Sequence, residues 1–368
     1  HVHRNPMNKI LHTALVGEMN GVVFAMTSHR ARRGPIPQDA SASRTDAVPT
    51  GATRTGATPT GANRSDGLAP PSGPPCYGEW IQKLAIVEPP RASIATAAPP
   101  VRLALPARSE NAMSGSQFAM QASKFDRQQF ETAAVRELVA GNIPGHLRTL
   151  TPVEVKFRGA GGGERRAVFY VTPDYLAVGD AEDSFRVPLS PSAVLQVADA
   201  TNCTLLTAKL SDDVFAASHV KLKPQPLTEA REAVATFFQH HELIERQWNE
   251  RRSSKPLSSE PQFATSRGGL VAGVKKDLVW TKRLLEKPRR AAIYGWHRPE
   301  GGPIQPLYVG HAATYVDYSH GARLLYGRVR IDGEWHETAD VLRDRDLCEA
   351  LSDEGPLDIA ELRAASER

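Results

Sequence analysis

Between residues 50 and 62 the tripeptide Thr-Gly-Ala occurs three times at intervals of five residues, and the run offers no apolar face to bury. Such a segment cannot repay the entropy of ordering its backbone. The same stretch of chain is rich in proline, with 14 of the 28 prolines lying before Ser114. Residues 1–112 therefore read as a low-complexity, disordered tail, part of it signal-like or misassigned coding sequence, and the folded body is expected over 113–368. Within the tail, IATAAPPVRLALPARSENA has the small-residue, apolar character of a signal peptide, although three prolines and two arginines interrupt it. That points to a secreted or periplasmic protein, or to a cytoplasmic one if Met113 is the true start.

The body carries periodic signals of both kinds. Phe130, Ala134 and Leu138 recur at helical spacing ahead of Gly141 and Pro144. VEVKF and RRAVFYVTPDYLAVG read as strands joined by the turn at 159–163, and Ser190-Pro191 opens a helix. TEAREAVATFFQHHELIERQW is the best amphipathic helix, with Thr228 as its cap. RRAAIYGWHR reads as a strand, Asp332-Gly333 as a hairpin turn, and ADVLRDRDLCEALS as a closing helix. Strands and helices alternate without a βαβ repeat, so the expected class is α+β in one compact domain, divisible at the polar 249–268 segment into 113–248 and 269–368. The tail holds 12 Lys+Arg against 7 Asp+Glu, whereas the body is nearly neutral, which argues against nucleic acid as a partner. Cys76, Cys203 and Cys348 lack the spacing of a zinc site or a disulfide framework. No apolar run is long enough to be a transmembrane segment.

Chemistry-bearing residues concentrate in 294–323, YGWHRPEGGPIQPLYVGHAATYVDYSHGAR. Its five glycines and three prolines predict turns and irregular backbone carrying a site. Candidate catalytic residues are His297, His311, Asp317, Ser319 and His320. In one reading Ser319 is a nucleophile with His297 or His311 as base, oriented by Asp317 or Asp277. In another, His297, His311, His320 and Asp317 hold a divalent metal, although no HExxH or HxH spacing supports one and no cofactor is otherwise implied. Candidate substrate-binding residues are Lys276, Asp277, Tyr294, Trp296, Tyr318 and Arg323: aromatic faces to stack on a glycan or peptide, and Arg323 to grip an anionic group. Lys275-Lys276-Asp277 by itself reads as a solvated turn with an internal salt bridge. Of the adjacent His240 and His241 on a helix, one should pack and one should be solvated.

The segments TPDYLAVGDAEDSFRVPLSP, KLKPQPL, FFQHHELIERQ, VAGVKKDLVWTKRL, AIYGWHR, IQPLYVGH, VDYSHGARLL and LSDEGP together resemble an uncharacterised bacterial family of exported or secreted-looking proteins with no assigned reaction. The resemblance spans most of 113–368 and almost none of 1–112. Ser319-His320-Gly321 also echoes the Ser-His-Gly-Cys-x-Arg motif of L,D-transpeptidases, but Ala322 stands where the thiol belongs and Arg323 comes one position early. The function expected from these features is that of an exported, hydrolase-like protein acting on a cell-envelope or extracellular polymer. The alternative is a non-catalytic envelope protein that binds glycan or peptide.

Overall fold

The computed structural model describes residues 18–19, 22–23, 99–159, 161–254 and 268–367. The chain separates into two units, 1–88 and 89–368. Of the first, the antiparallel pair β1 (Glu18–Met19) and β2 (Val22–Val23) is described. The remainder of the low-complexity tail up to residue 98, with its Thr-Gly-Ala repeats, lies outside the described residues.

The second unit is α+β. It opens with α1 (Gly115–Ala122) and α2 (Arg127–Val139). Two capping boxes, Ser114 with Gln117 and Asp126 with Gln129, satisfy the free N–H groups at each start, so one periodic stretch becomes two helices. β3 (Thr151–Arg158) and β4 (Glu164–Val171) form the expected hairpin. After it come β5 (Ala177–Gly179), β6 (Ser184–Arg186) and α3 (Pro191–Ala200), capped by Ser190 with proline in its first turn. Next are β7 (Cys203–Thr204), β8 (Leu206–Thr207), α4 (Ala208–Ala217) and β9 (Val220–Lys221). The long helix α5 (Val234–Ser254) starts later than a Thr228 cap would place it.

Strands dominate the C-terminal part: β10 (Val271–Ala272), β11 (Lys276–Trp280), the short α6 (Arg283–Glu286), β12 (Arg290–His297) and β13 (Pro303–Ala312). β14 (His320–Gly321), β15 (Leu325–Tyr326), β16 (Arg328–Ile331) and β17 (Glu334–Glu337) follow. The Asp332-Gly333 turn has φ of 51° and 96° at its two residues, the left-handed pair that Asp-Gly accommodates. The expected closing helix is only α7 (Thr338–Arg343), and α8 (Ile359–Glu367) ends the described chain.

Two sheets organise the unit. One runs β17-β16-β4-β15-β7, with β3 also on β4. The other runs β13-β12-β11-β14, with β8 also on β11. Much of 294–323 is thus regular sheet rather than loop, because β12 and β13 pair from Arg290↔Ala312 to His297↔Pro303. Lys276-Asp277, expected in a solvated turn, open the central strand β11, and every residue from 271 to 280 is buried. Among the described residues no helix is long and apolar enough to cross a membrane.

The packed body begins ahead of the expected boundary at 113. Arg102 bridges Thr149, the Leu103 amide donates to the Arg148 carbonyl at 2.9 Å, and the Leu103 side chain joins the core. A chain truncated before Ser114 should therefore be less stable than one truncated before Pro99, by about the 2–5 kcal/mol of a leucine lost from a core. Thermal unfolding of the two truncations checks this; equal midpoints would make the Leu103 contact dispensable.

Candidate functional site

β11 carries the site because it lies inside its sheet. β12 pairs on one side, with Asp277 opposite Tyr294, and β14 pairs in parallel on the other, with Lys276 opposite His320. The apolar residues Val274, Leu278, Val279 and Trp280 drive the strand into the core. Three consecutive ionisable side chains, Lys275, Lys276 and Asp277, go in with them, at 1%, 5% and 4% exposure. Burying a charge costs several kcal/mol unless partners compensate it. Lys275 donates to the Tyr318 carbonyl at 2.5 Å, and its Nζ lies 3.3 Å from His240 Nδ1. Burial pulls the Lys275 ammonium down to about 7. Burial and the Lys275 charge take the His240 imidazole down to about 2, so it is neutral and accepts. His240 is the packed member of its pair, and His241, half-buried, accepts from the Arg186 amide.

Around Lys276 the structure gathers His311, Asp317, Ser319 and His320. Asp317 is fully buried and accepts from the Ser319 amide at 2.8 Å, the Ser319 hydroxyl at 2.5 Å, Arg231 at 2.6 Å and the Tyr315 hydroxyl at 3.3 Å. Burial by itself would raise its pKa, but His320, Lys276 and the Ser319 hydrogen bonds outweigh it and hold the carboxyl well below the usual range. His320 contributes to that only when protonated, so at neutral pH Lys276 and Ser319 carry the effect. Burial brings His320 itself down to about 3, and neither of its ring nitrogens has a hydrogen-bond partner among the described residues. The Lys276 ammonium, lowered by burial against the pull of Asp317, lies 5.3 Å above the Trp296 ring. A file of rings leads outward from His320: Tyr315 at 5.6 Å, His311 stacked on Tyr315 at 4.0 Å, then Tyr308 at 5.2 Å and 47% exposed.

The next residue of the strand serves a different cluster. Asp277 accepts from the Ser211 hydroxyl of α4 at 2.5 Å, its other oxygen lies 3.9 Å from Arg323 Nε, and burial raises its pKa. Arg323 is itself buried. It donates to the carbonyls of Thr172 and Val271 at 2.6 and 2.5 Å and lies over the Tyr175 ring at 4.5 Å. Gly321 is needed for the same packing, since a Cβ there would sit 2.4 Å from the Tyr175 ring.

His297 belongs to a third group. Its Nε2 is 2.6 Å from an Asp212 oxygen, its ring stacks on Phe215 at 4.5 Å, and the Tyr294 hydroxyl donates to Asp212 at 3.0 Å. The pairing with β13 shifts register between Ala291 and Ile293 and again between Ile293 and Gly295, and positive φ at Gly295 (94°) and Trp296 (55°) follows just before His297. The expected residues thus divide. His311, Asp317, Ser319, His320, Lys276, Trp296 and Tyr318 collect near β14, whereas His297 and Tyr294 meet Asp212, and Asp277 and Arg323 meet Ser211.

The Ser319 triad does not assemble, because the hydroxyl donates to Asp317 and no histidine bonds it among the described residues. Nor do three histidine, cysteine or acidic side chains converge as metal ligands among those residues. Sequence reasoning missed Arg231, Ser211 and Asp212. They lie 66 to 86 residues from their partners and carry no local signal. Comparison with protein families, with curated proteins and with solved structures found no match.

Two stability effects follow. Lys275 titrates near 7 in the fold against its ordinary 10.5. Between those values the unfolded chain binds more protons, so stability rises with pH by up to about 1.4 kcal/mol per unit. His240 and His320, depressed in the fold, act with the same sign at lower pH: their contribution is lost as pH falls below about 6.5. Denaturant titrations from pH 7 to 9.5 should show a rising midpoint that flattens in Lys275→Met. Arg323→Lys should lower stability by about 1–3 kcal/mol, since a lysine cannot serve both carbonyls as the guanidinium fork does.

Proposed function

We propose that the chain is an exported, hydrolase-like protein acting on a cell-envelope or extracellular polymer, with His320 as its acid–base group. The observation that carries this reading is a fully buried, neutral imidazole whose two ring nitrogens have no hydrogen-bond partner among the described residues, next to an ammonium and a carboxylate. A buried polar group left unpaired costs about 1–3 kcal/mol. A cost of that kind is characteristic of a group kept for chemistry. In this reading neutral His320 takes the proton of a water attacking the scissile carbonyl, Asp317 stabilises the imidazolium that results, and Lys276 stabilises the negative charge on the carbonyl oxygen. The imidazolium returns the proton to the leaving amine or alcohol as its bond to the carbonyl carbon breaks.

Arg231 and Tyr315 are both bonded to Asp317 Oδ2. The Arg231 side chain is 42% exposed while Asp317 is fully buried, so parting the pair leaves the carboxylate to be held by Lys276 and Ser319. The exposed ring of Tyr308 and the stacked His311 and Tyr315 suit sugar or peptide faces. Export and the envelope context rest on the motif resemblance and the signal-like stretch in the sequence. The same ring file favours the second reading, a glycan- or peptide-binding protein without turnover.

His320→Leu separates the two. Under the enzymatic reading it should abolish release of fragments from solubilised bacterial cell-wall glycopeptide, followed by mass spectrometry. The thermal midpoint should stay level or rise, because two unpaired nitrogens leave the core. Unchanged release would remove His320 from the mechanism. Saturable binding without release by the parent protein, weakened by Tyr308→Ala, would establish the binding protein instead.

A further inference from the structure

A cavity of about 530 Å³ opens where the start of β12, the end of β13 and the termini of α3 and α8 meet. Its charged lining is the exposed Arg289, Arg290 and Glu367, with Ser192, Thr314 and Ser366 supplying hydroxyls and Ala312 and Ala313 adding apolar surface. Arg289 has φ of +58°, a left-handed conformation that strains a non-glycine residue. The backbone is held there from both sides: the Arg289 amide donates to the Ala365 carbonyl at 2.8 Å, and its carbonyl accepts from the Ala313 amide at 2.9 Å. The fold thus sustains a strained backbone at the residue whose side chain lines the cavity. That guanidinium has no hydrogen-bond or ion-pair partner among the described residues. Among the described residues Arg290 is steadied by a single side-chain bond, from Nη1 to the Gly310 carbonyl at 3.2 Å. The one carboxylate of the lining, Glu367, is engaged by Arg363 at 2.9 Å, which leaves the two arginines as the uncompensated charge. Ser192, in the first turn of α3, adds to an environment where negative charge is favoured.

We propose that this cavity is a binding site for a small anionic ligand, or for an anionic group of a larger one, bearing phosphate or carboxylate. Two guanidinium groups beside hydroxyl donors match the oxygen arrays of either group, and the volume suits a ligand of a few tens of atoms at most. The site is separate from the buried His320 cluster and does not rest on the acid–base reading. The lining residues Ala312 and Thr314 nonetheless lie in the chain between His311 and Tyr315 of the ring file.

Calorimetric titration of the full chain at low salt tests the proposal, with pyrophosphate as one probe and citrate as the other. At least one should bind saturably at a single site with submillimolar affinity. Arg289→Gly and Arg290→Gln should each weaken it tenfold or more, and added salt should weaken it too. Glycine accepts φ near +58°, so Arg289→Gly should retain or raise the thermal midpoint while losing the ligand. His320→Leu should leave binding unchanged, which keeps this result independent of any turnover. Pyrophosphate alone binding would assign the site to phosphate ligands, and citrate alone to carboxylates. Saturation by neither probe, or binding undiminished when both arginines are replaced, would overturn the proposal.

Discussion

The structure depends on keeping β11 dry while it carries Lys275, Lys276 and Asp277. A central strand buried on both faces is ordinarily a continuous apolar run, because any charge in it must be compensated inside the protein. Here each charge draws a partner from a different element. Lys275 takes the Tyr318 carbonyl and faces His240 of α5, Lys276 faces Asp317 and the Trp296 ring, and Asp277 takes Ser211 of α4. A neighbouring network, with Arg186 forked onto Asp174 and bonded to Glu245 of α5, keeps that helix in register with the β5–β6 pair. Replacing such groups by apolar ones often stabilises a protein, so their retention points away from stability as the reason for them.

Pleating divides these charges between clusters, since successive residues of a strand point to opposite faces. That alternation separates Asp277, with Ser211 and Arg323, from Lys276, with Asp317 and His320. The two clusters also differ in how well their polar atoms are satisfied. Arg323 spends its guanidinium on two backbone carbonyls and the Tyr175 ring, a role in holding segments together. His320 spends neither nitrogen on anything among the described residues. Past the positive φ of Gly295 and Trp296, His297 meets Asp212 of α4.

By itself the sequence determined what depends on neighbours a few residues apart. Apolar periodicity placed the β3–β4 hairpin and α5, Ser190-Pro191 started α3, and Asp332-Gly333 turned β16 into β17. The α+β class followed from how those signals alternate. It also marked 294–323 as chemically dense, and His311, Asp317, Ser319 and His320 do gather there. The tertiary structure decided where Lys275-Lys276-Asp277 lie, because a Lys-Lys-Asp run has no local signature that distinguishes a wet turn from a dry strand. Pairing with β12 and β14 and packing against α4 and α5 exclude water from it. The same long-range packing set Arg323 against the Thr172 and Val271 carbonyls, parted His297 from His320, and brought in Arg231, Ser211 and Asp212. Contacts across 66 to 86 residues are set by how sheets and helices pack, and nothing in the local sequence encodes them.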